Sequence, residues 1–432
     1  MGKNNFVSSV FFGFLLFITG CSFQNENVEV TPKRKKNHTL MVYMAADNDL
    51  ESYALQNLKQ MESAAFKGMN VLVLFDRAEG YDETNGNWTD TRLFEVVHDK
   101  SDSGNIKSKR LACSPLGLGV DCETELDMSN PAVLKSFIEF SKSAYPAEKY
   151  SLIIWGHGTG WRCTYSSEDN IRRGSPTSRA VAIDDRSSGY MSVSELGQAI
   201  SDEGISVIGF DTCFGGVFEN IYELKDDVDF AVGGAGVTPS CGWNYKTLLE
   251  QLSSCDFEAC SVANIMASSS SVSCTIFESQ KIDSLMSSFE NFSKILAASI
   301  TDDESQKSVF NTLFSCKSYS YSQYPCDMYL DIFSMADLFS DDSIIELKNA
   351  SEKLKKSIKS AAVSKNKQNP EIGIHFIPLV AAHTASPVHS TDYLKKPDAS
   401  GQCDFIKQSE WWIPTQEGNS GSLLDNLFYK KF

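Results

Sequence analysis

A histidine and a cysteine each follow a short apolar run in this sequence. His157 lies in WGHGTGW, directly after the apolar residues 152–154, and Cys213 lies in FDTCFGG, at the end of the run 205–211. Such runs bounded by glycine are typical of buried strands. The carboxyl ends of parallel strands share one edge of a sheet, so the two side chains could meet if their strands are neighbours. An imidazole beside a thiol can take its proton, so the pair predicts a cysteine nucleophile with a histidine base.

Each of these residues also has a structural interpretation. His157 could make only local hydrogen bonds in a turn, and Cys213 could be a small buried residue or one half of a disulfide. Their placement at two matching strand ends favours the catalytic interpretation. An amphipathic helix is predicted to start at Cys213 and to reach about Leu224, so its dipole would also favour a thiolate. The amides of Gly158 and Cys213 are predicted to stabilise an oxyanion.

The surrounding pattern predicts the elements that position this pair. Apolar runs alternate with helical patterns, which indicates a largely parallel sheet covered by helices on both faces. We expect one large α/β core with helical additions. Residues 162–190 are polar and lack periodicity, so they predict a long exposed loop. Strands are predicted at 39–45, 70–76, 92–97, 151–157, 205–211, 229–234, 272–278 and 371–378.

The N-terminus predicts export. Lys3 precedes an apolar stretch, 6–18, that is too short to span a bilayer as a mature helix. The stretch ends in ITGC, which resembles the bacterial lipobox and implies lipidation of Cys21. The alternative is an ordinary signal peptide with an incidental cysteine. We therefore expect a lipoprotein signal peptide at 1–20, a flexible tether at 21–38 and a folded domain at 39–432.

Composition narrows the classes of partner and ligand. The net charge of −17 argues against nucleic acid as a partner, since phosphate binding needs clustered positive charge. The chain has twelve cysteines, and an exported protein is expected to pair some of them. Close spacing predicts local disulfides between Cys113 and Cys122 and between Cys316 and Cys326. Zinc is not expected, because the sequence has no CxxC pair or His/Cys cluster with ligand spacing.

The two motifs, in this order and spacing, resemble the clostripain family of cysteine peptidases, within the larger group of caspases, legumains and gingipains. The likeness extends to residues 42–61, 217–224 and 241–245, and covers the chain from about 39 to 415. It implies a caspase-like α/β/α sandwich with a largely parallel central sheet and helical C-terminal additions. It also implies a Cys/His dyad that cleaves peptide bonds after Arg or Lys through a thioester acyl-enzyme.

The resemblance implies that Asp211 lies near the S1 pocket, where its carboxylate would pair with the guanidinium of an arginine substrate residue. The alternative is that Asp211 caps the following helix or stabilises the turn before it. The sequence departs from the family at Phe214 and Gly215, where a Leu-Met pair is common, and the segment 235–243 offers no carboxylate. No third catalytic residue is evident, so a backbone carbonyl is expected to orient His157.

The family also resembles zymogens that cut themselves between the histidine and the cysteine. This interval includes Arg172, Arg173, Arg179 and Arg186, and cleavage is predicted after Arg179 or Arg173. No cofactor or metal is expected to be required. Some relatives depend on calcium, to which Asp184 and Asp185 could contribute oxygens, but two acidic residues do not define a site.

These inferences predict a lipid-anchored cysteine endopeptidase. It is expected to act as a monomer on protein or peptide substrates in the bacterial cell envelope, with the leaflet left open. One alternative is a catalytically inactive caspase-like lipoprotein that binds a surface partner. Another is a transpeptidase or ligase, since water and an amine compete for the same acyl-enzyme.

Overall fold

The fold is known from a computed structural model of the chain. It describes residues 32–99, 101, 104–161, 181–187, 189–320, 328–365 and 367–376, together with Trp411, Leu423 and Leu427. All of these residues belong to one compact unit, Thr31–Phe432. No helix within this part of the chain is both long and apolar enough to cross a bilayer.

Strands and helices alternate through most of this unit. The strands are β1 (Lys36–Ala46), β2 (Met69–Arg77), β3 (Thr91–Glu95), β4 (Lys109–Leu111), β5 (Ala147–Trp155), β6 (Val181–Asp184), β7 (Gly189–Met191), β8 (Ile205–Asp211), β9 (Phe230–Gly233), β10 (Thr275–Glu278), β11 (Ser318–Tyr319), β12 (Met328–Asp331), β13 (Ala362–Ser364) and β14 (Gly373–Phe376). The helices are α1 (Glu51–Ser63), α2 (Pro131–Ala144), α3 (Val193–Ile200), α4 (Phe218–Leu224), α5 (Tyr245–Leu252), α6 (Ala259–Ser269), α7 (Ile282–Ala298), α8 (Asp303–Phe314), α9 (Ile332–Leu338) and α10 (Ile345–Ala361).

Nine of the described strands form one sheet, in the order β13-β10-β9-β8-β5-β1-β2-β3-β4. Its centre, from β9 to β2, is parallel, and the strands at both edges are antiparallel. Side chains of the central strands alternate between two cores, one on each face. In β5, Leu152 and Ile154 enter one core, and Ile153 and Trp155 enter the other. This two-sided burial explains why the central strands are continuous apolar runs.

Helices cover both faces of the sheet. The core on one face includes residues of α2, α3, α4, α7 and α10, and the core on the other includes residues of α1, α5 and α6. The predicted layering of a largely parallel sheet between helices is therefore confirmed. Strand β14, predicted at 371–378, instead pairs with β12 in a separate three-stranded sheet.

Four local predictions are corrected by the structure. Strand β1 begins at Lys36, inside the predicted tether, because it pairs with β5 from that residue onward. The predicted loop 162–190 contains β6, whose side chains are buried, and overlaps β7, which pairs with β6. The helix predicted from Cys213 starts only at Phe218. Cys113 and Cys122 are both free thiols, and Cys113 is buried.

Several other predictions fall on residues that the structure does not describe. Cys21 and the preceding signal segment lie outside the described residues, as do Arg173 and Arg179. Cys316 is a free buried thiol, and its predicted partner, Cys326, lies outside the described residues.

Candidate active site

Strands β5 and β8 are neighbours, as expected from the positions of His157 and Cys213. Their parallel register places Trp155 opposite Asp211, so each candidate residue follows its strand by two positions. The loops beyond the strands also touch. A Cβ added to Gly158 would lie 2.7 Å from the carbonyl oxygen of Cys213. The sheet thus brings the histidine and cysteine loops into direct backbone contact.

The glycines on both sides of His157 have a steric cause. Gly156 has a φ of +140°, and a Cβ there would lie 2.7 Å from the carbonyl oxygen of Ala45. Gly158 is confined by Cys213 and by Thr212, whose Oγ1 would lie 2.8 Å from an added Cβ. A side chain at either position would displace a neighbouring loop. Glycine on both sides therefore allows His157 to lie close to the ends of the neighbouring strands.

The imidazole of His157 bonds to a carboxylate that the sequence did not identify. Its Nε2 lies 2.6 Å from Oδ1 of Asp49, which belongs to the turn between β1 and α1. The hydrogen bond and charge of His157 lower the pKa of Asp49. The expectation that only a backbone carbonyl orients His157 is therefore wrong. Asp49 thus engages Nε2 and leaves Nδ1 as the other ring nitrogen of His157.

The thiol of Cys213 is partly exposed and is held by the segment after β9. Its Sγ accepts a hydrogen bond from the amide of Thr238 at 3.3 Å. The Thr238 hydroxyl in turn donates to the carbonyl of Thr212 at 2.9 Å. Helix α4 starts only at Phe218, so Cys213 does not lie at its N-terminus as predicted.

Phe214, which departs from the family pattern, has a left-handed backbone. Its φ is +54°, which is uncommon for a bulky residue and indicates local strain beside the cysteine. The buried ring packs against Tyr329 at 5.1 Å between centroids. Tyr329 also donates a hydrogen bond to the carbonyl of Thr159 at 2.5 Å. Tyr329 thus contacts both the strained turn that follows Cys213 and the loop that follows His157.

Asp211 is buried beneath the cysteine turn. Its Oδ2 accepts hydrogen bonds from the amide of Trp243 and the hydroxyl of Tyr245, each at 3.0 Å. Its Oδ1 has no hydrogen-bond partner among the described residues. Burial raises the pKa of this carboxyl to about 7. The helix-cap alternative for Asp211 is excluded, because α4 begins seven residues later.

The sequence model of the clostripain family matches residues 42–380 of this chain. Clostripain of Hathewaya histolytica is 29% identical over 248 residues, which are 52% of this chain and 44% of clostripain. The matched region thus spans less than half the length of that relative.

Solved structures of two proteases share the fold. A secreted C11 cysteine protease from Bacteroides thetaiotaomicron, iotapain, aligns with a TM-score of 0.55 at 17% identity, over 80% of this chain and 93% of that protein. An inactive zymogen C11 protease from Parabacteroides distasonis aligns with a TM-score of 0.53 at 16% identity, over 80% and 90% of the two chains. The predicted caspase-like α/β/α sandwich is confirmed. With its family match across most of the folded chain, this protein belongs to the clostripain family.

Proposed function

We propose that this protein is an exported, lipid-anchored cysteine endopeptidase that hydrolyses peptide bonds after Arg or Lys. The observation that carries the proposal is the β5–β8 register, which sets Trp155 opposite Asp211 and so aligns the loops of His157 and Cys213. Family membership supports the same chemistry. The lipid anchor and the basic specificity rest on sequence motifs and on Asp211.

The reaction uses Cys213 as the nucleophile. His157 takes the thiol proton at Nδ1, and Sγ forms a bond to the scissile carbonyl carbon. The amides of Gly158 and Cys213 are the proposed donors to the oxyanion. As the C–N bond breaks, the imidazolium gives its proton to the leaving amine. Water, deprotonated by His157, then attacks the thioester and releases the new carboxyl end and the free thiol.

Asp49 is proposed as a positioning residue for this dyad. Its carboxylate accepts a hydrogen bond from the Nε2–H of His157, which leaves the lone pair of the imidazole on Nδ1 and stabilises the imidazolium after proton transfer. About two thirds of the Asp49 side chain is exposed, at 65%. Solvent therefore screens the pair, and its contribution is smaller than that of a buried catalytic aspartate.

The proposed S1 pocket uses the unpaired oxygen of Asp211. A guanidinium that reaches this oxygen would pair with a carboxylate already oriented by Trp243 and Tyr245. Pairing would also relieve the cost of a buried oxygen without a donor. These features support a basic P1 residue over a neutral one.

Autoprocessing remains part of the proposal. Mass spectrometry of the wild type and of Cys213→Ala is expected to show cleavage after Arg179 or Arg173 only in the wild type. Equal cleavage in both proteins would indicate a contaminating protease. Lipidation is tested separately with a clickable fatty acid fed to cells, where Cys21→Ser should abolish labelling. Persistent label on that variant would refute the lipid anchor.

Activity is tested with an arginyl chloromethylketone probe on the full chain under reducing conditions, with and without added calcium. A covalent adduct is expected on Cys213, and His157→Ala should strongly slow its formation. Cys241 is an exposed free thiol and provides the matched control, since Cys241→Ala should label like the wild type. If Cys213 is never labelled, the inactive binding protein is the better interpretation.

A further inference from the structure

A small three-stranded sheet, formed by β11, β12 and β14, lies against the cysteine turn, residues 212–217. Val217 in this turn forms a parallel bridge with Gly373 at the start of β14. Gly236 bonds to the turn through its carbonyl, and a Cβ added to Gly236 would lie 3.1 Å from the ring of Tyr319 in β11. The small sheet therefore supports the segment that carries the nucleophile.

Tyr329, in β12, also reaches the histidine loop, residues 156–161. Its hydroxyl donates to the carbonyl of Thr159 at 2.5 Å, and a Cβ added to Gly160 would lie 2.1 Å from the same oxygen. The ring of Tyr329 is buried and packs against Phe214, with 5.1 Å between ring centroids. One side chain thus contacts the histidine loop with its hydroxyl end and the residue next to the nucleophile with its ring.

The backbone of the histidine loop needs such support. Gly156 and Gly160 have φ angles of +140° and +88°, and glycine restrains the backbone less than any other residue. The carboxylate of Asp49, which bonds to the imidazole of His157, is itself 65% exposed. The hydrogen bond to Thr159 therefore restrains the loop through buried groups, close to a pair that solvent reaches.

Other contacts hold the same loop at different points. Gly158 forms an isolated bridge with Val181, and the ring of Trp161 packs edge-on against that of His375, with 5.8 Å between centroids. Tyr329 differs from Val181 and His375, because its side chain joins the histidine loop to the cysteine turn directly.

The small sheet holds Tyr329 itself in place. Tyr329 pairs with Tyr319 of β11 on one side and with His375 of β14 on the other. The amide of His375 donates to Oε1 of the buried Glu219 at 2.8 Å, and Glu219 belongs to α4, the helix that follows the cysteine turn. The position of Tyr329 is therefore fixed relative to Cys213.

We propose that Tyr329 is a positioning residue for the dyad. By holding both loops it sets the distance between the imidazole of His157 and the thiol of Cys213. Tyr329 acts through Thr159 and Phe214 and takes no part in proton transfer. This inference rests on the proposed function, because it concerns the same dyad.

Removal of the hydroxyl separates this role from general packing. In Tyr329→Phe the ring can still pack against Phe214, whereas the carbonyl of Thr159 loses its hydrogen bond. The histidine loop should then gain freedom, and the imidazole should spend less time within reach of the thiol. Loss of one buried hydrogen bond that orients a catalytic group is expected to lower kcat about tenfold.

Two measurements on the full chain test this expectation. Hydrolysis of an arginyl peptide should show kcat about tenfold lower and KM within about twofold of the wild type, because Tyr329 acts on the dyad and not on the bound substrate. The second measurement is the rate at which iodoacetamide alkylates Cys213 between about pH 5 and 9, read by mass spectrometry of the peptide that contains it. The pH of half-maximal rate should rise in Tyr329→Phe, because a more distant imidazole stabilises the thiolate less.

Tyr145→Phe is the matched control. Tyr145 is also buried, and its hydroxyl donates to Oε2 of Glu95 at 3.1 Å. It precedes β5, whereas His157 follows that strand, so the two residues lie at opposite ends of the sheet. The control should keep the wild-type kcat and alkylation profile, even where its melting temperature falls as much as that of Tyr329→Phe.

The outcomes separate this inference from the proposed function. If the wild type is active and Tyr329→Phe keeps its kcat and alkylation profile, the role of Tyr329 is overturned and the dyad stands. The same follows if Tyr145→Phe loses kcat equally, or if cooling to a temperature at which Tyr329→Phe is fully folded restores its kcat to that of the wild type. A wild type that hydrolyses no arginyl peptide, and whose Cys213 alkylates at the same pH as in His157→Ala, would overturn the proposed function and this inference with it.

Discussion

The proposed S1 carboxylate should make substrate preference depend on pH. Burial raises the pKa of Asp211 to about 7, and a guanidinium needs its ionised form. Below pH 7 the ionised fraction falls about tenfold per pH unit. The relevant quantity is kcat/KM for an arginyl substrate divided by kcat/KM for the citrullinyl analogue. Titration of the dyad cancels in this ratio, and kcat/KM reports the free enzyme.

The size of the effect follows from the environment of Asp211. Its Oδ1 is buried and has no partner within the described residues, so a pair with guanidinium would form away from water. Such a pair contributes about 3 kcal/mol, or roughly a hundredfold preference for arginine over citrulline. The ratio of the two kcat/KM values should reach its full size above about pH 8. It should be nearly lost at about pH 5, two units below the pKa of Asp211.

The assay measures both substrates from about pH 5 to 9 with the wild type and Asp211→Asn. The variant should show a low, flat ratio, because asparagine cannot ionise. Its circular dichroism and melting temperature establish that it folds. A flat ratio in the wild type, or a pH-dependent hundredfold preference retained by the variant, would refute the assignment of Asp211 to the S1 pocket.

Three further substitutions test the site and its support. Asp49→Asn should lower kcat up to about fivefold with little change in KM, since an exposed ion pair is worth at most about 1 kcal/mol; a change in KM alone would contradict a positioning role. Gly158→Ala should lower kcat at least about a hundredfold, because its methyl group would press on the Cys213 carbonyl, and a wild-type rate would count against this geometry. Glu219 is wholly buried with its pKa raised to about 8, so the wild type loses stability as pH rises from about 5 to 8. The melting temperature of Glu219→Gln should therefore rise relative to that of the wild type over that range. A difference in melting temperature that does not change with pH would show that the pKa of Glu219 is not raised.

The central strands and the dyad loops could be predicted because their signals are local. A buried parallel strand is a continuous apolar run. The sequence therefore predicted that β5 and β8 end close to His157 and Cys213. The start of α4 was harder to predict from the sequence. Apolar and aromatic residues follow Cys213 as they would in a helix, but the left-handed backbone of Phe214 delays the helix to Phe218.

Asp49 could not be assigned from the sequence, because its role depends on strand order. It lies 108 residues from His157, and it reaches the imidazole only because β1 pairs with β5 on the side opposite β8. Strand β6 was missed for a different reason. Its four residues stand within a polar segment, and only pairing with β7 and burial against the core reveal them as a strand.

The order of strands in the main sheet also determines what a cut between the dyad residues would produce. Every strand on one side of the β5–β8 seam precedes His157 in the chain, and every strand on the other side follows it. Cleavage in the intervening segment would leave two polypeptides, each with half of the sheet and one dyad residue. Hydrogen bonds across the seam and the two apolar cores would hold them as a noncovalent heterodimer. Its unfolding would then release two separate chains, so the clipped enzyme should melt at a temperature that depends on its own concentration.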